Sequence, residues 1–132
     1  MSAVEGNTPV QERKNIRVAI YTIKDEENLA LYDRIGPIRR PYTGRSGQRY
    51  TVASVETPNG AVTIAVFKGV YQGQREAQTL VQRAIFDLTP DWVLVVGIGG
   101  GASHSDITIG DVVVASEILD FCYEVKRDSE KS

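Results

Sequence analysis

Read for its apolar and polar positions, the chain falls into short apolar runs separated by glycine- and proline-bearing polar segments. Ile16 to Thr22, IRVAIYT, is β-branched and apolar, which predicts a buried strand. KDEENLALYDRI follows, with Leu29, Tyr32 and Ile35 at helical spacing and acids at its front. Acids suit the positive end of a helix dipole, so a helix is expected from near Lys24 or Asp25 to Gly36 and Pro37. Residues 36–49, rich in Gly, Pro and Arg, read as loop. Tyr50–Glu56 and Ala61–Lys68 are β-rich runs joined by TPNG, a hairpin signal.

Ala77, Leu80, Val81, Ala84, Ile85 and Leu88 then form one apolar stripe at i, i+3, i+4, i+7, i+8 and i+11, the clearest helix of the chain. WVLVVG reads as a strand without polar alternation, hence buried on both faces as in a parallel sheet. DVVVASEIL reads as one more strand. The expected organisation is an arm over residues 1–14, one α/β domain over 15–124 and a polar tail over 125–132.

Between the last two strands lies GIGGGASHSDITIG, with four glycines in five positions from Gly97 to Gly101. Glycine either reaches backbone angles closed to other residues or lets something approach the chain closely. A turn is served by one or two glycines, so four point to a ligand, with a tight strand-to-strand connection as the other reading. The segment matches G-x-G-x-x-G/A, and Glu117 lies twenty residues past Gly97, as in dinucleotide-binding folds. Its context does not fit: SHSDITIGDVVV is polar, β-branched and broken by Gly110, leaving no room for the required helix. His104 and Asp106 in this loop read as exposed loop residues.

Composition narrows the field. The formal charge of −2 provides no basic field for nucleic acid or an anionic membrane. One cysteine and one histidine exclude a disulfide framework and a zinc-type cluster. No apolar run reaches the roughly 18 residues of a membrane span, and the start lacks the apolar stretch of a signal peptide, so a soluble cytoplasmic protein without metal or cofactor is expected.

The order of three motifs resembles the nucleoside phosphorylase and nucleosidase superfamily. They are VAIYTIKDEENLAL, GVYQGQREAQTLVQRA, and PDWVLVVGIGGG continuing to DITIGDVVVASEILDF, together spanning roughly Ile16 to Phe121. The resemblance implies a three-layer α/β domain with a mostly parallel or mixed sheet and flanking helices, its ligand at the carboxyl ends of the strands. It implies cleavage of the N-glycosidic bond of a purine nucleoside or nucleotide. By place in the motif, Glu26 matches the glutamate that positions water in the nucleosidases, although Asp25, Glu26 and Glu27 also read as solvated acids at a helix start. Gly97, Ile98, Gly99, Gly100 and Gly101 would cradle ribose or base, with Tyr71 and Tyr123 available to a base pocket. Phosphorylases of this family carry Ser or Thr where Ile98 stands, and the hexameric ones an Arg at Val95, which favours hydrolysis over phosphorolysis. Arg39, Arg40, Arg45 and Arg49 could supply phosphate contacts from the loop, which leaves phosphorolysis open and is where a nucleotide's phosphates would be sought; each also reads as part of a solvated basic loop.

Family members continue well beyond the G-D-V-V-V strand, and their later half carries the groups that hold the ribose hydroxyls and protonate the base. The expectation is therefore a truncated domain, completed as a homo-oligomer or by the remainder of a longer chain. The other expectation is a catalytically incomplete half-domain serving for binding or oligomerisation.

Overall fold

The computed structural model describes residues 15–101 and 106–119. The described residues up to Ile98 form one compact unit, and those from Gly99 onward belong to a second. In the first unit the elements run β1 (Ile16–Thr22), α1 (Asp25–Ile35), β2 (Arg39–Thr43), β3 (Arg49–Thr57), β4 (Gly60–Lys68), α2 (Gln74–Leu88) and β5 (Trp92–Val95). The five strands make one mixed sheet in the order β2-β3-β4-β1-β5. β1 is parallel to both neighbours, β4 and β5, while β2, β3 and β4 form an antiparallel meander.

Alternation along β1 sorts the core into two layers. Ala19 and Tyr21 point to the face that carries α2, where Tyr42, Tyr50, Val52, Phe67, Ala84 and Leu88 close round them. The aromatic rings there are in contact, Tyr21 to Phe67 at 5.3 Å between centroids and Tyr50 to Phe67 at 5.7 Å in an edge-on arrangement. Ile20 points to the other face, with Ala53, Ile64 and Val66, and this layer is covered by Leu31, Tyr32 and Ile35 of α1. The stripe read from sequence therefore faces the sheet, except that Ile85 at its margin is half exposed.

The end of α1 and the turn between β3 and β4 follow local rules. α1 stops at Gly36, whose φ of 81° carries the chain out of the helix while its N–H bonds Tyr32 O at 3.1 Å. The TPNG turn closes the β3–β4 hairpin, with Thr57 opposite Gly60 and Gly60 at a φ of 110°. α2 is further fixed by Asp87, a fully buried acid whose Oδ1 accepts from Ser46 N at 2.9 Å. Its Oδ2 accepts from Ser46 Oγ at 2.6 Å and Tyr50 Oη at 2.7 Å. This carboxylate ties the β2–β3 turn to the helix, and Gly44 passes so close that an added Cβ would lie 2.7 Å from Asp87 Cβ.

Three expectations change. Residues 36–49 contain β2, an edge strand whose Arg39, Arg40 and Pro41 gave no apolar signal because its outer edge needs none. The strand WVLVVG lies at the other sheet edge rather than between covering layers, so Trp92 and Val95 are largely exposed. Finally, 111–119 is not a strand. The described part of the second unit has a turn at Thr108–Asp111, and Val112, Val113 and Val114 are exposed, without the burial that would select an extended ladder.

Candidate active site

β1, β4 and β5 run parallel, so their carboxyl ends, Thr22, Lys68 and Val95, come to one rim of the sheet. The connection from β1 leads to α1 on one face, and that from β4 leads to α2 on the other. β1 is thus where the chain switches faces, the usual place for a ligand crevice in such sheets. The strand ladder continues into the rim, with Gly69 N bonding Thr22 O and Val96 N bonding Tyr21 O, each at 2.9 Å.

Glu27 sits at this rim. It occupies the third helical position after the helix-starting residue Lys24, and its side chain folds back over the turn it came from. Oε2 accepts from Lys24 N at 2.9 Å and Ile23 N at 3.1 Å; Oε1 crosses to the segment that follows β5 and accepts from Ile98 N at 2.9 Å. The residue is only 8% exposed. The backbone N–H of Lys24, then that of Ile98, hold its carboxyl below the usual carboxylate range against the opposing effect of burial. The result is an ionised carboxylate, fixed by three backbone donors, lying directly against the first glycine of the run. A Cβ on Gly97 would stand 3.1 Å from Glu27 Oε1, so here glycine makes room for a side chain of the protein itself.

The next residue completes the floor: Asn28 Nδ2 donates to Thr22 Oγ1 at 3.0 Å, and both are buried. Across the rim, Glu76 at the start of α2 accepts from Val70 N at 2.9 Å and Tyr71 N at 2.6 Å, which fixes the loop after β4. Tyr71 is 75% exposed on that pinned loop. Tyr21 lies beneath, and burial, then the Glu76 carboxylate, push its phenol upward. An added Cβ at Gly69 would be 3.2 Å from Tyr21 Cζ, so this loop too runs hard against a core side chain.

Glu26 lies on the exposed side of the first turn of α1. Gly97 and Ile98 are at the rim with Glu27; Gly99, Gly100 and Gly101 belong to the second unit and are exposed. Arg39 and Arg40 are on β2, three strands from β1, about 14 Å across the sheet at the usual strand spacing. Arg39 stacks on the Tyr32 ring at 4.4 Å. Arg45 is exposed in the turn clamped by Asp87. His104 and Tyr123 lie outside the described residues. Among the described residues no group of three or more His, Cys, Asp or Glu is placed to hold a metal ion, and no helix is long and apolar enough to cross a membrane.

A family model, that of the phosphorylase superfamily, matches residues 7–131, nearly the whole chain. The chain belongs to the phosphorylase superfamily. Membership agrees with the mixed five-stranded sheet and its helices on both faces, and it assigns the chain to the chemistry of nucleoside glycosidic bonds. No curated protein gives a significant match. In this phosphorylase-superfamily chain, then, the motif order read from sequence and the matched residues describe the same stretch, with Glu27 and Gly97 meeting at its strand ends.

Proposed function

We propose that this chain cleaves the N-glycosidic bond of a purine nucleoside or nucleotide with water as nucleophile, and that Glu27 holds the water. The observation that carries this is a carboxylate at the sheet rim, held below the usual carboxylate range and set against the glycine run by three backbone N–H groups. Three accepted hydrogen bonds leave lone-pair capacity on the two oxygens, because a carboxylate accepts about four. Water oriented there would form its bond to the anomeric carbon as the carbon–nitrogen bond breaks and the electron pair leaves with the base. The carboxylate would take the water proton, and the base would gain one from a donor or from solvent.

Val95 and Ile98 support water over phosphate. Both flank Gly97, both are exposed, and neither offers the charge or hydroxyl that an anionic nucleophile needs. Glu26, favoured by its place in the motif, is the neighbouring candidate. A second reading, a module for binding or oligomerisation, draws on the exposed Trp92, Val95 and Ile98 along β5 and its exit.

Release of adenine from adenosine, methylthioadenosine and AMP, with and without phosphate, tests the proposal. Expected are release without phosphate, loss of about 100-fold or more in Glu27→Gln, and a change of only a few-fold in Glu26→Gln. A strict phosphate requirement would overturn hydrolysis. Loss confined to Glu26→Gln would move the role to that residue.

A further inference from the structure

The two edges of the sheet differ in kind. β2, at one edge, carries Arg39, Arg40 and Pro41, the charges and the missing N–H that keep an edge from pairing with another chain. β5, at the other, reads Trp92-Val93-Leu94-Val95 and runs on into Val96 without a charge or a proline. Among the described residues no strand lies on its outer side.

The ladder decides which backbone groups face outward. Val96 N bonds Tyr21 O at 2.9 Å, so the even-numbered residues of this stretch address β1. The N–H and C=O groups of Val93 and Val95 then point away from the sheet. Side chains sort by the same register. Trp92 pairs with Val18 and Leu94 with Ile20, which puts both on the α1 face, yet neither belongs to the cluster that α1 covers. Val95 pairs with Tyr21 and so lies on the α2 face.

We propose that this chain forms a two-fold dimer in which β5 of one copy pairs antiparallel with β5 of a second, joining the two sheets into one. This deepens the binding-module reading above and rests on no part of the hydrolytic one. In an antiparallel pair, residues whose backbone groups face each other exchange both bonds, so Val93 of each copy takes Val95 of the other. Leu94 then sits on the axis against its own copy, and Trp92 faces Val96, an isologous and wholly apolar set. Asp91, held by its own Arg17 at 2.8 Å, falls opposite Gly97, so no like charges meet across the paired strands. A slip of two residues one way would set Asp91 against Val95, and the other way Val93 against Gly97, which selects this register. Trp92, Leu94, Val95, Val96 and Ile98 are 41–71% exposed, and two copies bring together on the order of 1,000 Å² of such surface, where specific interfaces begin.

Sedimentation of the full chain over a concentration series, read together with tryptophan emission, tests this without turnover. Trp92 is the chain's one tryptophan, so the emission reports this edge. Expected are a mass twice the 14.5 kDa of one copy and an emission that moves to the red on dilution as the indole regains water. Leu94→Glu sets two carboxylates face to face on the axis and should weaken association by about 100-fold or more. Val95→Pro removes an outward N–H and spares the ladder to β1, so about tenfold or more should be lost while the far-ultraviolet circular dichroism stays that of the parent. Ile38→Glu, at an exposed apolar residue before β2, should change association less than about twofold. On a Cys122→Ser background, Leu94→Cys should oxidise to a disulfide-linked dimer and Ile85→Cys on α2 should not, because residues facing across such an axis have Cα atoms about 4.5 Å apart. A monomer at every concentration, a dimer indifferent to Leu94→Glu and Val95→Pro, or a dimeric Leu94→Cys chain that stays unlinked overturns the proposal. A β5-dependent dimer inactive on every nucleoside supports it and sinks the hydrolytic reading; an active monomer does the reverse.

Discussion

Replacing Asp87 by alanine removes a buried charge, an operation that in principle can go either way. Burying a carboxylate costs several kcal/mol, so an apolar substitute can stabilise a protein if the charge was poorly compensated. Here the compensation is dense: one N–H and two O–H donors lie within 2.6–2.9 Å of its two oxygens. After the substitution Ser46, which is exposed, can turn to water, but the Tyr50 hydroxyl, in a residue 3% exposed, is left without its acceptor. An orphaned buried hydroxyl costs about 1–3 kcal/mol, and each lost bond to a charged acceptor about 1.5–3 kcal/mol. Unrelieved burial of the charge offsets part of this, so the net loss expected for Asp87→Ala is about 3 kcal/mol. That corresponds to a fall in melting temperature of roughly 12–24 °C for a unit of this size.

The double-mutant cycle with Tyr50→Phe separates the contributions. Phenylalanine removes the orphan, so Asp87→Ala on that background should cost about 1–2 kcal/mol less, a coupling well above the roughly 0.3–0.5 kcal/mol of independent sites. Urea unfolding followed by far-ultraviolet circular dichroism gives all four corners. Additive losses, or an Asp87→Ala variant as stable as the parent, would refute the assignment of this carboxylate as the clamp between α2 and the β2–β3 turn. The same hydroxyl has an alkaline signature. Burial, then the hydrogen bond to Asp87, push the Tyr50 phenol far above its usual value, so the folded state holds its proton while the unfolded chain releases it. Stability should therefore fall as pH rises past about 10, the unfolded tyrosine value, and less steeply in Tyr50→Phe.

Glu27 sets the acid limb. Its folded value lies below the ordinary glutamate value of 4.5, so its contribution is fully present above that pH and is lost as pH falls through the folded value. Stability between about pH 5 and 2 should decline less in Glu27→Gln than in the parent, read as urea midpoints across that range. Gly97→Ala should leave the fold within about 1 kcal/mol, since a Cβ 3.1 Å from Glu27 Oε1 needs the carboxylate to give only tenths of an ångström. The same shift should lower base release by about tenfold or more, because reacting groups tolerate little displacement. Full turnover in the Gly97→Ala variant would contradict the placement of Glu27 beside the reaction.

Much of this architecture was legible in residue pattern because it depends on burial period. The stripe from Ala77 to Leu88, the IRVAIYT strand and the hairpin at Asn59-Gly60 are each determined by neighbours in sequence. β2 was not legible, since an edge strand bearing two arginines and a proline is held by pairing with β3 and little by its own apolar surface. The role proposed for Glu27 falls one residue beyond Glu26, the glutamate that the motif indicates. Three adjacent acids at a helix start look alike in a sequence, and only the helical turn of 100° decides which faces the sheet. The available signal was spacing: with Lys24 beginning the helix, a glutamate three residues on is placed to bond back, and that residue is Glu27. Asp87 offered no signal, as FDLTP reads as an ordinary helix end, and its partners lie some forty residues earlier.

The position of β1 between β4 and β5 has a consequence for how the chain assembles. The first of the described strands is the one both later parallel strands need, yet neither partner adjoins it in sequence: its ladder to β4 spans more than forty residues and that to β5 more than seventy. The β3–β4 hairpin closes across two residues and meets no such delay. Lesions in the hairpin should therefore slow folding, whereas lesions in β5 should chiefly hasten unfolding. The rim that carries Glu27 and Gly97, which needs β1 and β5 together, is then among the last features of the unit to form and the first to open.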